Sequence, residues 1–495
     1  MTMQKAGCRG QSVGGPSAFL RGSLPPSSCT LPSAFCLSPA CRGSVLVVVL
    51  VVCLGLVSLA LVLGHSMLMA YRGADNEIAG RQADAAILGG ARYARSLMTS
   101  ATSLPDPTTY QSAAVPVGDA LFWFIGEPPN GAAASDQPSF GLVDEAGKLN
   151  LNRASFDMVR RLPGMTDDLA QAIVAWRTLP GNANAATVTA PGSAPAKQGF
   201  MESVDEVGLI VGAADPTLLS GDDANLNHVL DPEETSTAGN LAQGQLGAGL
   251  LEYCTVYSRE PNLDASGNRK PGINTNPGFR ALPGILDAAL GGGRGRSVMT
   301  AVITSLENDR PPAAAREPGG STAPPDRVAS LLELYARSGL SAADFTKLQP
   351  YLANSTGGPY TCGLINVNTA SQTVLACVPG IGDAGAAALV GSRTQRGTGA
   401  DPSDLSWVVA VLGAHNCRAA GPWLTTRSYQ WSADVAAVGR YGRGYRRARF
   451  VLDSSTGTPQ IVHRRDLAGL GWALGRDERA NSLRSAGLAQ GGATP

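Results

Sequence analysis

The sequence has few histidines and no excess of charge of either sign. Only His65, His228, His415 and His463 occur in 495 residues. None of the four has a serine, cysteine or carboxylate partner at the spacing of a recognisable catalytic motif. Lys and Arg (39) balance Asp and Glu (39), so the chain lacks the positive field with which nucleic-acid-binding proteins attract phosphate. We therefore expect a protein that is not an enzyme and does not bind nucleic acid.

The nine cysteines contain no tight pair of the C-x2-C type, which argues against a zinc site. Four of them follow the apolar segment described below: Cys254, Cys362, Cys377 and Cys417. In an exported domain they could form one or two disulfide bonds, or remain as structural thiols, and the spacing leaves the pairing open. The 60 Gly and 33 Pro beside 44% hydrophobic residues predict folded units separated by turns and linkers.

One long uncharged segment dominates the N-terminal part of the chain. Residues 44–63, SVLVVVLVVCLGLVSLALVL, provide enough helix to cross a hydrocarbon core of about 30 Å. A cleaved secretory signal has a shorter apolar region of about 7–15 residues, so a membrane anchor is favoured. Lys5, Arg9, Arg21 and Arg42 precede the segment without any acidic residue, which predicts a cytoplasmic N-terminus and an exported remainder.

The helix is expected to continue beyond the membrane. Apolar residues recur at helical spacings between charged ones in 71–98. They are Ala83, Ala86, Ile87, Ala91, Ala94 and Leu97. This pattern predicts one long helix with an apolar face outside the bilayer.

The residues Cys41-Arg42-Gly43-Ser44 directly before the apolar run resemble the type III signal of pilins and pseudopilins. That resemblance implies cleavage by prepilin peptidase between Gly43 and Ser44. Most family members carry Glu at the fifth mature position, which is Val48 here, and the protein K pseudopilins of type II secretion systems are the subfamily that lacks it. The 43-residue leader, rich in Pro, Ser and Cys, is unusually long, and a misassigned start codon is one explanation.

Strand-like runs occur at both ends of the exported part. They lie at 121–125 and 140–143, and again at 428–435, 445–452 and 460–463, on either side of helical pieces separated by Gly and Pro. A sheet split by a helical insertion resembles the layout of protein K pseudopilins, and residues 144–152 and 424–428 resemble the family's two junctions. The resemblance implies an α+β fold: a transmembrane, pilin-like long helix, a small antiparallel pseudopilin sheet, and a mostly α-helical insertion with helix-hairpin-helix or SAM-like repeats.

The same resemblance divides the chain and predicts its role. The expected segments are a leader (1–43), the transmembrane and long helix (44–100), the first part of the head (101–148), an insertion of two SAM-like subdomains and a calcium loop (149–420), returning strands (421–478) and a flexible tail (479–495). The implied function is a minor pseudopilin at the tip of the pseudopilus that supports protein export across the outer membrane. The implied partners are other minor pseudopilins, prepilin peptidase and the inner membrane, with the head in the periplasm.

A repeated pattern inside the insertion suggests the rival function. Each copy joins an N-x-N segment to a later Pro-Gly: 149–152 with 162–165, 273–276 with 282–285, and 365–368 with 378–381. In the third copy Asn368 or Thr369 would cap the helix at 370–377, and Pro-Gly would turn the chain into a second helix. This resembles the helix-hairpin-helix that binds DNA phosphate, so a membrane-anchored DNA-binding or uptake protein is the alternative. Asp383 and 166–168 place acidic residues at the turns, with no basic residue before Arg393, which favours a packing hairpin.

A possible calcium loop lies in the same insertion. Residues 223–234 match the twelve-residue pattern D-x-N-x-N-x-x-h-D-x-x-E. Oxygen ligands for Ca²⁺ would come from side chains and one backbone carbonyl: Asp223, Asn225, Asn227, the carbonyl of Val229, Asp231 and Glu234. His228 replaces the usual glycine at the sixth position, where a positive φ is required. A polar turn without metal is the alternative, and the calcium binding that the family resemblance implies favours Ca²⁺.

Overall fold

The computed structural model describes residues 44–98, 105–128, 137–178, 197–211, 217–231, 234, 247–264, 266–308, 327–354, 358–397, 399–478 and 481. The chain divides into two compact units, residues 1–70 and 71–495. The prediction of a mixed α and β fold with an antiparallel sheet and a long apolar N-terminal helix is confirmed. The leader, including Gly43, and nearly all of the tail lie outside the described residues.

The helices are concentrated in the middle of the chain, apart from the first. They are α1 (Ser44–Met98), α2 (Phe156–Val159), α3 (Asp167–Arg177), α4 (Val207–Val211), α5 (Thr217–Ser220), α6 (Leu250–Tyr253), α7 (Asn276–Leu290), α8 (Arg294–Asn308), α9 (Leu331–Ser338), α10 (Ala342–Leu348), α11 (Gln372–Cys377), α12 (Gly382–Arg396) and α13 (Trp407–Ala420). Helix α1 is continuous over 55 described residues, as the sequence predicted.

The main sheet joins strands from both ends of the exported part. Its strands are β1 (Val115–Val117), β2 (Ala120–Gly126), β3 (Ser139–Phe140), β4 (Val143–Asp144), β11 (Gln430–Val438), β12 (Arg446–Asp453) and β13 (Gln460–Asp466). The order is β1-β2-β11-β12-β13, with β3 paired to β2 and β4 paired to β11, and every pairing is antiparallel. Strand β11 therefore lies at the centre, between strands that are about three hundred residues apart in the sequence.

One face of this sheet packs against the second half of α1. The helix buries a stripe of small residues at helical spacing, namely Ala83, Ala86, Ile87, Ala91, Ala94 and Met98, against Phe122, Phe124 and Val435 among others. Gly90 allows the closest approach, because a Cβ atom there would lie 2.7 Å from the side chain of Val435. A helix face of alanines and glycine thus brings the helix backbone close to the strands.

The opposite face of the sheet is more polar and meets the insertion. Because side chains alternate along a strand, Ser432 and Asp434 point away from the α1 face of β11. Ser432 Oγ donates a hydrogen bond to Glu145, which directly follows β4. The insertion itself has two apolar cores, one formed mainly by residues 149–254 and 365–424, and a second formed by residues 273–352.

Three short pairs of strands lie in the insertion or at its end, and the two parallel pairs include the strands that begin two equivalent segments. They are β5 (Leu149–Asn150) parallel to β6 (Cys254–Thr255), β9 (Ile365–Asn366) parallel to β10 (Leu424–Thr425), and the antiparallel pair β7 (Arg259–Pro261) and β8 (Tyr360–Cys362). The first and third copies of the sequence pattern adopt the same local structure. In the first copy the backbone N–H of Asn152 donates to Asn150 Oδ1 at 2.9 Å. In the third copy the backbone N–H of Asn368 donates to Asn366 Oδ1 at the same distance.

The second copy does not share this structure, and one capping prediction was wrong. Helix α7 runs through Pro283, so the Pro-Gly pair at 283–284 is not a turn, because the surrounding apolar residues continue the helical packing. In the third copy Ser371, rather than Asn368 or Thr369, caps α11 by accepting from Val374 N–H at 3.3 Å. Thr369 Oγ1 instead donates to Asp144 Oδ2 at 2.6 Å, which links the hairpin to the sheet.

Candidate metal centre

The predicted calcium loop is a buried polar turn that follows α5. Its first aspartate is almost fully buried and organises the backbone: Asp223 Oδ1 accepts from Asn227 N–H at 3.1 Å, and Asp223 Oδ2 accepts from His228 N–H at 2.7 Å. His228 has φ of 62°, so the sixth position has the positive φ that the calcium pattern requires. Leu226 also has a positive φ, of 56°, and the loop therefore turns tightly around Asp223.

The remaining predicted ligands converge on two further carboxylates. The side-chain amides of Asn225 and Asn227 donate to Asp231 Oδ2 at 2.7 and 3.1 Å. Glu234 Oε1 accepts from the backbone N–H groups of residues 224 and 225 at 2.8 and 3.3 Å, and its Oε2 accepts from Asp231 N–H at 3.0 Å. The structure thus brings the side chains of all five predicted side-chain ligands into one hydrogen-bonded network.

Several features fit a hard cation such as Ca²⁺. Asn225 Oδ1 is buried and has no hydrogen-bond partner in the described part of the chain, so one expected ligand oxygen has an unused lone pair there. Burial raises the pKa of Asp223, and burial together with the charge of Asp223 raises the pKa of Glu234. A cation would offset this unfavourable burial of negative charge, and the oxygen-only donor set is the one that Ca²⁺ prefers.

One feature differs from a formed calcium site. Among the described residues, no group of three or more His, Cys, Asp or Glu side chains is arranged to hold a metal ion. The amide nitrogens of Asn225 and Asn227, rather than their oxygens, face Asp231, and Asn227 Oδ1 accepts from Val229 N–H at 2.8 Å. Metal binding would therefore require the two amide groups to rotate so that oxygen replaces nitrogen in the centre of the loop.

An arginine from the main sheet anchors this loop. Arg447 in β12 is 1% exposed and donates to the backbone carbonyl oxygens of Asn225 and Leu226, the latter at 2.7 Å. The same guanidinium group binds Asp434 with two hydrogen bonds of 2.8 Å, and Arg449 adds a further contact of 2.9 Å to Asp434. Burial disfavours the charge of Asp434, but the two guanidinium groups hold its pKa below the usual value.

Two more contacts fix the loop from other directions. Asn225 Nδ2 lies 3.3 Å from the carbonyl oxygen of Trp472, near the C-terminal end of the described chain. His228 Nδ1 lies 3.4 Å from Glu252 Oε2 in α6, an ion-pair distance rather than a well-aligned hydrogen bond. The loop is thus attached to the sheet, to the segment after the sheet and to the insertion.

The sequence analysis predicted the loop but none of its anchoring residues. Asp434, Arg447 and Trp472 are more than two hundred residues from Asn225 in the sequence. A signal was nevertheless present, because Asp434 interrupts the apolar strand WSADVAAV and a buried carboxylate needs a positive partner. Which arginine provides it depends on the register of β11 with β12, which the sequence does not specify.

The described cysteines are unpaired. Cys254, Cys377 and Cys417 are buried free thiols, and Cys362 is an exposed free thiol. Burial raises the pKa of Cys377 and of Cys417 to about 12, so both stay protonated and unreactive at neutral pH. Of the two alternatives that the sequence left open, the described part of the chain shows structural thiols.

The first two basic residues after the turn of the hairpin that resembled a DNA-binding motif are engaged within the protein. Arg393 Nη1 in α12 donates to the carbonyl oxygens of Val367 and Ala370 at 3.0 and 2.8 Å. Arg396 forms an ion pair of 3.1 Å with Asp404. These interactions occupy the two side chains that would otherwise neutralise phosphate near this turn.

No protein-family model and no curated protein sequence matches the chain.

Proposed function

We propose that this chain is a non-catalytic structural subunit, a minor pseudopilin of the protein K kind in a type II secretion system. The observation that carries the proposal is helix α1. It is continuous over the described residues from Ser44 to Met98, which directly follow the expected cleavage site. Its first part is apolar and long enough to span a membrane, and its last part forms one layer of the core beneath an antiparallel sheet.

The exposure of the first part supports assembly with lipid or with other helices. The large apolar side chains of residues 45–63 are between 49% and 71% exposed, although such residues normally lie in a core. An apolar surface of this length needs a bilayer before assembly and packed neighbouring helices afterwards. A pseudopilin helix uses both environments, because it leaves the membrane to enter a fibre.

The arrangement of the head supports the protein K subfamily. Strands β1 to β4 precede the insertion and strands β11 to β13 follow it, and all seven belong to one sheet. The insertion therefore enlarges the head without interrupting the helix that would join the fibre. A bulky head favours the end of a fibre, where nothing needs to pack above it, and we propose the pseudopilus tip as its position.

We also propose that the loop 223–234 binds Ca²⁺ when the head is exported. Asp223, Asn225, Asn227, Asp231 and Glu234, with the Val229 carbonyl, would provide the oxygen ligands. The bound ion would neutralise the buried carboxylates and stiffen the loop. Because Arg447 attaches this loop to β12, stiffening it would also strengthen the attachment of the insertion to the sheet.

Processing by prepilin peptidase tests the central proposal. The full chain is expressed in cells with and without the peptidase, and the mass of the purified protein is measured. We expect a mature protein that begins at Ser44 only when the peptidase is present, and we expect Gly43→Val to remain unprocessed. Gly22→Val, in the same leader but away from the junction, provides the matched control and should be processed normally. An unprocessed wild-type chain, or an N-terminus at another residue, would contradict the proposal.

A further inference from the structure

A small cavity with several polar groups in its lining lies between segments of the insertion and strand β10. It is enclosed by the β7–β8 pair, the start of α9, the end of α10 and strand β10, and it leaves about 50 Å³ of space for the centres of water molecules. At about 10–15 Å³ for each water, this space holds roughly three to five waters or a molecule with a similar number of non-hydrogen atoms. No residue of the calcium loop lines it.

Two polar groups that line the cavity have no hydrogen-bond partner among the described residues. Asn262 is 3% exposed and Gln349 is 7% exposed. Asn262 Oδ1 and Gln349 Nε2 are both buried without a hydrogen bond. The bond of 3.3 Å from Asn262 Nδ2 to the carbonyl oxygen of Gly358 fixes which end of this amide is the nitrogen. The cavity therefore presents one unused acceptor and one unused donor, and a buried polar group in a native protein normally has a partner.

The third feature is a lysine that makes no hydrogen bond or ion pair with the described residues. Lys270 lines the same cavity and is 5% exposed. Among the described residues, no acceptor lies within hydrogen-bonding or ion-pair distance of its Nζ. The nearby carboxylate of Glu260 is already engaged, by Thr425 Oγ1 at 2.9 Å and by Arg427 Nη1 at 3.5 Å. Burial and the charge of Arg427 lower the pKa of Lys270, and the charges of Glu260 and Asp264 offset this shift only in part.

We propose that this cavity binds a small monocarboxylate that carries a hydrogen-bond donor on the adjacent carbon, such as an α-hydroxy acid or an α-amino acid. The carboxylate would accept from Lys270 Nζ and Gln349 Nε2, and the donor would bind Asn262 Oδ1. The carboxylate would offset the buried charge of Lys270, and a molecule the size of glycolate or glycine fills the space. The assignment rests on the cavity alone and is independent of the pseudopilin proposal.

Binding to the purified full chain in detergent tests this inference. Ligand-observed NMR and calorimetry are carried out with glycolate, glycine and acetate, and with acetamide as a neutral molecule of the same shape as acetate. We expect saturable binding of the carboxylates, tighter for glycolate or glycine than for acetate, and none for acetamide. Saturable binding by none of the three carboxylates, which would mean that the cavity holds only water, overturns the proposal, as does equal binding of acetamide.

Variants assign the binding to these side chains. Lys270→Met should weaken the binding at least about tenfold, since a charge-assisted hydrogen bond is lost. Lys347→Met removes an exposed lysine of α10 outside the cavity and should bind as the wild type does. Gln349→Leu replaces an unpaired donor and should weaken the binding severalfold without lowering the melting temperature. If Lys270→Met does not fold, Gln349→Leu decides, and unchanged affinity in that variant refutes the assignment.

Discussion

Replacing Arg447 by methionine should detach the loop at 223–231 from the sheet. The substitution keeps most of the side-chain volume and removes the hydrogen bonds to the carbonyl oxygens of Asn225 and Leu226 and the paired bonds to Asp434. Removing one partner of a buried ion pair costs about 3–5 kcal/mol. Because Arg449 still contacts Asp434 at 2.9 Å, we expect the lower end, about 3 kcal/mol.

The fragment for this measurement begins at Tyr71, where the second compact unit begins. A fragment that begins near residue 101 would remove the half of α1 that covers one face of the sheet, and would expose Phe122 and Phe124. Hydrogen exchange of the loop amides and urea unfolding are measured on the same samples. The N–H groups of Asn227 and His228 report directly on the loop, because both donate to Asp223.

A loss of about 3 kcal/mol corresponds to exchange roughly 100-fold faster at these two amides if the loop opens locally. The matched control is Arg446→Met. Arg446 precedes Arg447 on the same strand, but its side chain is 45% exposed and its ion pair with Asp84 is at the surface, so the change should cost less than about 1 kcal/mol. Equal exchange rates and equal urea midpoints in the two variants would refute the anchoring role of Arg447.

Three further outcomes are expected from the same fragment. Chelation of calcium should lower the melting temperature of the fragment, and starting from Ca²⁺ at a hundredfold excess over Kd the loss corresponds to about 2.7 kcal/mol. The melting temperature of Glu234→Gln should not respond to chelation. If calorimetry detects no Ca²⁺ binding to the wild type, the loop is only a polar turn. Burial raises the pKa of Asp144 to about 6 from an ordinary 3.8, so the stability that this group contributes is complete below pH 4 and is lost as the pH rises to about 6. The free energy of unfolding should change by about 3 kcal/mol over this range. Asp144→Asn should flatten this part of the pH profile of urea unfolding, and an identical profile would contradict the assignment. Filter binding at low salt should detect no DNA affinity, whereas salt-sensitive binding that disappears on substitution of Gly380 and Gly382 would favour the DNA-binding alternative.

Local patterns in the sequence predicted the elements well. The apolar run and the helical spacing beyond it predicted α1, and strand-like runs of residues placed β2, β11, β12 and β13 within a few residues of their observed bounds. These features depend on the helical period of 3.6 residues and on local composition, which neighbouring residues alone establish. The cap of α11 was misplaced because several hydroxyl and amide side chains precede that helix, and Thr369 binds Asp144 instead.

The loop at 223–234 shows what the sequence by itself determined and what required the tertiary structure. Its spacing of Asp, Asn and Glu predicted a compact polar cluster and the positive φ at His228, because the turn closes on itself through local hydrogen bonds. Its attachment to Arg447, like the unpaired Lys270 in the cavity, depends on which distant segments the fold brings together. Those contacts depend on strand register and on the packing of the insertion. Both are set by the burial of apolar surface across the whole chain, so only the tertiary structure decided which of these residues meet.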